Sequence, residues 1–251
     1  MFLPLQIREI FHLLFLQEFF RKFDPKLVVL KGGVNLRFFF KSSRYSEDMD
    51  LDLMTASLES VQKNVLRTLK AIATPMKVYG VTQIIPPSLQ SAKQTTTTQR
   101  FKIHLHTQSR LDLFTKVEFS RRGFNQGYAF EKVEDTILRT YRLAPIVVQH
   151  YSAETAFEQK IKALAGRTEV QARDVFDLYQ LISFLPEAWR VSVGKNVCQQ
   201  ATERVWALSF KEYHEAVVAY LKEEDQQILG LKEVWVKMQK AVADVFGIYH
   251  S

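Results

Sequence analysis

Leu30-Lys31-Gly32-Gly33-Val34-Asn35-Leu36-Arg37-Phe38-Phe39-Phe40, followed after a short spacer by Arg44-Tyr45-Ser46-Glu47-Asp48-Met49-Asp50-Leu51-Asp52-Leu53, is the stretch whose reading decides the fold. Leu27 to Leu30 is a short apolar run that suits a buried strand. Two glycines follow at once, and Val34 to Phe40 continues as a short helix. A strand that turns through Gly32-Gly33 into a helix exposes backbone N–H groups without side-chain obstruction, which is how helix N-termini take up phosphate. Met49, Leu51 and Leu53 then alternate with Asp48, Asp50 and Asp52, the period-two pattern of a strand with one apolar and one acidic face. Alone, a Gly-Gly pair is more often a mere turn, and an Asp-x-Asp pair more often a solvated strand face. In succession they place a phosphate-sized pocket beside a cluster of oxygens. Asp48 and Asp50 point the same way and repel unless a cation lies between them. Hard oxygen ligands of this kind suit Mg²⁺ (or Mn²⁺), which binds through one or two carboxylates plus substrate phosphates.

Upstream, apolar residues from Leu5 to Phe23 recur at helical spacing, with the polar residues gathered mostly on the remaining face, and Asp24-Pro25 is expected to end that helix. Downstream, Ser57 is a candidate N-cap for a helix to Ala73, closed by Pro75. Met76 to Ile85, Phe101 to Leu105 and Leu111 to Phe119 read as strands, with Gln94 to Gln99 as a loop or hairpin end. Beyond about residue 150 the pattern turns helical. Ser152 caps a helix to about Ala165 with Gly166 ending it, a second runs from Gln171 to Phe184, and others cover 191–208, 210–221 and 226–246. The expectation is an α+β chain: a mixed β-sheet flanked by helices over 1–150, then a helical bundle over 151–251.

The 251 residues are 47% hydrophobic and carry a formal charge of +7, so a sizeable core is expected and polyanionic partners are favoured. The single cysteine, Cys198, excludes an intrachain disulfide framework and a Cys-based zinc finger, in keeping with a reducing cytoplasm. Arg8, Glu9, Glu18, Arg21 and Lys22 interrupt the apolar N-terminus well before the roughly 20 residues a membrane span needs, and no signal-peptide pattern is present.

The strand, glycine turn, spacer and Asp-x-Asp resemble the signature of the DNA polymerase β-type nucleotidyltransferase fold. More closely, Lys31-Gly32-Gly33 through Leu36-Arg37, with Arg44-x-Ser46-x-Asp48-x-Asp50, is similar to the first motif of the AbiEii/AbiGii toxin family, which includes MenT-type and other type IV toxin–antitoxin nucleotidyltransferases. Lys160-x-x-Ala163 with Arg167, then Arg173-Asp174-x-x-Asp177-Leu178, matches the later helical motifs, and Lys116-Val117-Glu118-Phe119 sits where such folds place a third carboxylate. The resemblance runs from about residue 27 to 182. It departs at Val34, where the family commonly has Thr.

The resemblance implies that Asp48 and Asp50 bind metal, with Glu118 as third ligand or general base. It implies that Gly32, Gly33, Arg37, Ser46 and Arg173 bind the nucleotide. Lys160 and Arg173 would supply positive charge and Asp174 would orient Lys160 or the base, the helical part completing the active site. Against this stands an Asp–Lys/Arg network that merely pins two helices together. Arg37 and Arg44 could hold phosphates or pair with Asp48 or Asp52. The activity implied is NMP transfer from an NTP to an acceptor, the tRNA 3′ end by analogy, by a cytoplasmic toxin restrained by a separate antitoxin protein. The alternatives are a protein or small-molecule acceptor, or a catalytically silent nucleotide- or RNA-binding relative.

His104 and His106 share a strand face but lack a third ligand at motif spacing, so a half-exposed strand is favoured over a metal site. Arg121-Arg122 with Phe124 and Tyr128 mixes charge and rings as single-strand binders do, and is a candidate RNA-backbone contact.

Overall fold

The computed structural model describes residues 2–87 and 94–248, which form two compact units: residues 1–39 with 45–151, and residues 40–44 with 152–251. The first is α+β. Its helix α1 (Pro4–Phe19) precedes strand β1 (Val28–Lys31), helix α2 (Gly32–Phe39) and strand β2 (Met49–Leu53). Helix α3 (Leu58–Lys77), strands β3 (Val81–Ile85), β4 (Thr98–Thr107), β5 (Asp112–Ser120) and β6 (Tyr128–Lys132), helix α4 (Asp135–Thr140) and strand β7 (Val147–Tyr151) complete it. The seven strands form one mixed sheet in the order β3-β4-β5-β2-β1-β7-β6. β1 pairs antiparallel with β2 and parallel with β7, while β2 runs parallel to β5. The short apolar β1 sits near the middle of the sheet because neither of its faces needs water: Val28, Val29 and Leu30 are fully buried.

α1 stops at Phe19, several residues short of Asp24-Pro25, which instead opens a 3-10 turn (Pro25–Leu27) capped by the Asp24 side chain. Nor does α1 keep a solvated polar face: Glu9 and His12 are buried with the phenylalanines, since a helix covered on nearly all sides must bury what it carries. Glu9 is satisfied by Arg37 and the Tyr141 hydroxyl, and His12 by Thr115. Phe15 stacks on Phe19 at 5.5 Å and Phe19 on Phe23 at 4.8 Å, so this stripe and Phe119 of β5 form the main core under the sheet. Val34, at the family's Thr position, is buried in the same core.

Ser57 caps α3 as expected, its Oγ accepting the Ser60 N–H at 3.0 Å. Pro75 does not close the helix: it lies in the last turn, where it gives up one backbone hydrogen bond to the preceding turn, and Met76 and Lys77 still belong to α3 rather than to the next strand. β6, α4 and β7 fall in a stretch whose sequence shows no clear period. β6 is an exposed edge strand, and β7 buries Gln149 and His150, polar residues that break the apolar pattern but are hydrogen-bonded to Val28 O and Asn35.

The second unit is helical: α5 (Ala153–Gly166), α6 (Ala172–Ile182), α7 (Lys195–Ala207), α8 (Phe210–Ala216), α9 (Glu223–Leu229) and α10 (Lys232–Ile248), with a 3-10 turn (Val218–Tyr220). Ser152 caps α5 by accepting the Thr155 N–H. The segment expected as one helix over 226–246 breaks at Gly230, where a Cβ would lie 2.4 Å from the Gln226 carbonyl oxygen. The helix expected over 210–221 likewise ends at Ala216. Tyr213 stacks on Trp235 at 4.4 Å at the centre, and Arg204 donates to the Leu164 and Arg167 carbonyls, satisfying the C-terminus of α5.

Candidate active site

Strand register gathers charge onto one sheet face of the first unit. Lys31 faces Asp50 across β1 and β2, Asp50 faces Glu118 across β2 and β5, and Glu118 faces Arg100 across β5 and β4. The row reads plus, minus, minus, plus across four strands. One step along, the Lys116 ammonium lies 2.9 Å from Asp48 Oδ2, and the Lys116 backbone N–H donates to Asp48 Oδ1 at 3.2 Å. Glu118 is held by Arg100 Nε at 2.5 Å. Asp52 takes Lys31 Nζ at 2.5 Å and the Tyr151 hydroxyl at 2.7 Å, so its place is a structural network. The ion pairs on Asp48 and Asp52 come from Lys116 and Lys31.

Asp50 is the strained member. Burial raises its carboxyl pKa above the ordinary value, Lys116 and Lys31 pull it down, and Glu118 and Asp48 push it up again. Gly32 enters α2 with φ +71°, and a Cβ there would sit 3.1 Å from Asp50 Oδ2. Only glycine lets the turn close on the carboxylate at that φ, bringing the N-terminus of α2 beside the acidic pair. Ser46, expected on the triphosphate, donates its hydroxyl to the Asp48 carbonyl at 2.8 Å. Arg37 donates to Glu9 at 2.6 Å and lies 4.5 Å over the Tyr45 ring, tying α2 to α1.

Among the described residues no group of three or more His, Cys, Asp and Glu is arranged to hold a metal ion. Asp48 and Asp50 nevertheless suit a divalent cation of the Mg²⁺ type, which takes one or two carboxylates and completes its shell with water and phosphate oxygens. Burial, and to a lesser degree the neighbouring carboxylates Glu118 and Asp48, disfavour the Asp50 charge, and a bound cation would relieve both.

In the helical unit the later motif closes on itself. Lys160 Nζ lies 3.0 Å from Asp174 and 2.5 Å from Asp177, Arg167 pairs with Asp174 at 2.9 Å, and Arg44 with Asp177 at 3.3 Å. Both carboxylates are fully buried. Burial works against the Lys160 ammonium, but Asp177 and Asp174 outweigh it and hold the pKa above the ordinary lysine value. Lys160 is therefore a fixed cation, suited to stabilising charge and unsuited to abstracting a proton. Among the described residues Arg173 makes no ion pair or side-chain hydrogen bond.

Lys116, Arg100 and Lys31 are contributors that the motif reading did not assign to the site. Their signal lay in period two: Lys116-x-Glu118 and Arg100-x-Lys102 alternate as Asp48-x-Asp50 does, but only the register says which residues meet. His104 packs edge-on against Phe114 at 4.2 Å and His106 pairs with Asp112, as expected of an ordinary strand. Arg121 donates to Gln99 and the Ala56 carbonyl, and with Arg122, Ser57 and Thr96 lines an open cavity of about 680 Å³ beyond the C-terminal end of β2.

A mixed sheet with a glycine turn pressed against Asp50 of the neighbouring strand, and Asp48 just ahead of that strand, is the arrangement of a nucleotidyltransferase, and the family match agrees. The chain belongs to the nucleotidyl transferase AbiEii toxin family of type IV toxin–antitoxin systems, whose sequence pattern matches residues 14–242. NTP as substrate and an antitoxin as partner follow from that membership. The fold is similar to that of JHP933 from Helicobacter pylori, at 18% identity and TM-score 0.59 over 96% of this chain and 92% of that one. It is also similar to MenT4, a nucleotidyltransferase toxin from Mycobacterium tuberculosis H37Rv, at 14% identity and TM-score 0.58 over 99% and 94%. No curated protein matches the sequence. Among the described residues no helix is long and apolar enough to cross a membrane.

Proposed function

We propose that the protein is a metal-dependent toxin that transfers an NMP group from an NTP to the 3′ end of tRNA in the cytoplasm, and that a separate antitoxin restrains it. The observation that supports this most is the close approach of Gly32 to Asp50, because it brings the start of α2, whose N–H groups would bind phosphate, beside a carboxylate that would face the reacting phosphorus. Asp48 and Asp50 would hold Mg²⁺ or Mn²⁺, which when bound neutralises charge on the phosphate oxygens. Gly32 and Gly33 offer their N–H groups to the triphosphate, and Ser46 braces the turn that carries Asp48. Glu118, in register beside Asp50, would join the ligand set or take the acceptor proton once Arg100 releases it.

In the reaction the acceptor hydroxyl oxygen bonds to the α-phosphorus, the bond to the bridging oxygen of the β-phosphate breaks, and pyrophosphate leaves. From the family motif, Lys160 and Arg173 are assigned to the charge that develops in that step. Asp174 holds Lys160 charged and in place, 3.0 Å away. The segment 151–251 thus acts as a functional domain alongside 1–150. The net charge of +7 and the exposed Arg122 favour a nucleic-acid acceptor.

Incubating the protein with each labelled NTP, Mg²⁺ or Mn²⁺ and total tRNA tests this, with cell protein and small hydroxylated or amino compounds in parallel. Metal-dependent labelling of tRNA at its 3′ end is expected. Labelling of protein or a small molecule in its place would overturn the acceptor, and no transfer with any combination would overturn the activity.

A further inference from the structure

Asp48 stands just ahead of β2, so its carboxylate is only as well aimed as the turn that carries it. Two consecutive residues of β5 hold that turn. The Thr115 hydroxyl donates to the Glu47 carbonyl at 2.6 Å, and the Lys116 N–H donates to Asp48 Oδ1 at 3.2 Å. The Thr115 hydroxyl has one proton and spends it on Glu47. His12 Nε2, 2.9 Å from the same Thr115 oxygen, must then be the N–H donor of that bond. His12 and Thr115 are 1% and 4% exposed. Burial drives the imidazole pKa down to about 3, countered in part by Asp48, so the ring is neutral and has one N–H to give. Buried polar groups cost stability unless paired, and an apolar side chain would fill either position. What the pair adds is direction: a hydrogen-bond chain from α1 through β5 to the peptide group that precedes Asp48.

We propose that His12 and Thr115 are positioning residues which, by fixing the Glu47 carbonyl, aim the Asp48 carboxylate at the cation and the reacting phosphate. The inference rests on the nucleotidyltransferase reading of Asp48.

The test compares Thr115→Val, which keeps the volume, Thr115→Ser, which keeps the hydroxyl, and His12→Gln with His12→Leu. Each is measured for transfer kinetics, for Mn²⁺ binding by EPR in the absence of NTP, and for Tm. Outer-shell partners of metal ligands contribute about 10- to 100-fold to affinity or activity, so Thr115→Val is expected to lower kcat and Mn²⁺ affinity at least about tenfold. The KM for NTP should stay within about twofold, because the triphosphate contacts are untouched. Thr115→Ser should restore both values, and His12→Gln, whose amide can donate, should exceed His12→Leu. Wild-type kcat and Mn²⁺ affinity in Thr115→Val, or equal impairment in Thr115→Ser, would overturn the inference while leaving the enzyme reading intact. A wild-type protein with neither transfer nor Mn²⁺ binding would overturn both. Should Thr115→Val fail to fold, the two His12 variants decide, and equal values in them would overturn the inference.

Discussion

Asp50 and Glu118 are in-register neighbours on two parallel strands, like charges side by side in a half-buried row, with Lys31 and Arg100 at its ends. Such a row is stable only because cations flank it, and it concentrates negative charge where a divalent ion can be used.

Replacing Asp50 by Asn should therefore separate activity from stability. Transfer is expected to fall at least about 100-fold, since cation-mediated charge stabilisation is a matter of several kcal/mol. The Tm should hold or rise, because the charged carboxylate is disfavoured there by burial and by Glu118 and Asp48. A fall in Tm with activity retained would contradict this.

Gly32→Ala is expected to damage both. At φ +71° an L side chain costs about 1–2 kcal/mol. The added Cβ would also press on Asp50 Oδ2 from 3.1 Å, so activity should drop further than the loss of folded protein explains. Urea unfolding alongside single-turnover transfer measures the two effects separately.

His12 gives stability a pH dependence of known sign. Its folded pKa, about 3, lies below the unfolded value near 6.5, so the unfolded chain binds the extra proton as pH falls. The stability is fully present above about pH 6.5 and is lost progressively toward pH 3, by about 2 kcal/mol at pH 5. The urea midpoint of wild type should fall between pH 7 and 5, and that of His12→Gln should fall less.

Asp177→Ala should destabilise the helical unit by about 3–5 kcal/mol, because it takes a fully buried carboxylate away from both Arg44 and Lys160, and Asp174 alone then offsets the Lys160 charge. Burial pushes the Asp177 carboxyl up, but Arg44 and Lys160 outweigh it and hold the group below its ordinary pKa. Its contribution is therefore present above about pH 4 and lost as pH falls through the lower folded value. Thermal melts at pH 7 check the magnitude. A variant within about 1 kcal/mol of wild type would show that the network adds nothing to stability.

Local rules account for what the sequence determined by itself. The Gly-Gly turn, the Asp-x-Asp alternation and the Ser57 and Ser152 caps are decided within a few residues, and the structure keeps each of them. The α+β class and the family followed from those signals in order. Boundaries that depend on packing did not: α1 ended early at Phe19, α3 ran through Pro75, and the last long helix split at Gly230, which caps α9 by donating its N–H to the Gln226 carbonyl. β7 was hidden because Gln149 and His150 are polar residues made tolerable by partners far away in the chain. Only the tertiary structure decided which charges meet. Side-chain period says that Asp50, Lys116 and Glu118 each face one side of their strands, but strand order and register, set by the burial of the opposite apolar faces, put Glu118 beside Asp50 and Lys116 on Asp48. The same packing turned His12, a polar residue on an apolar helix, into a buried donor one hydroxyl away from the Asp48 turn.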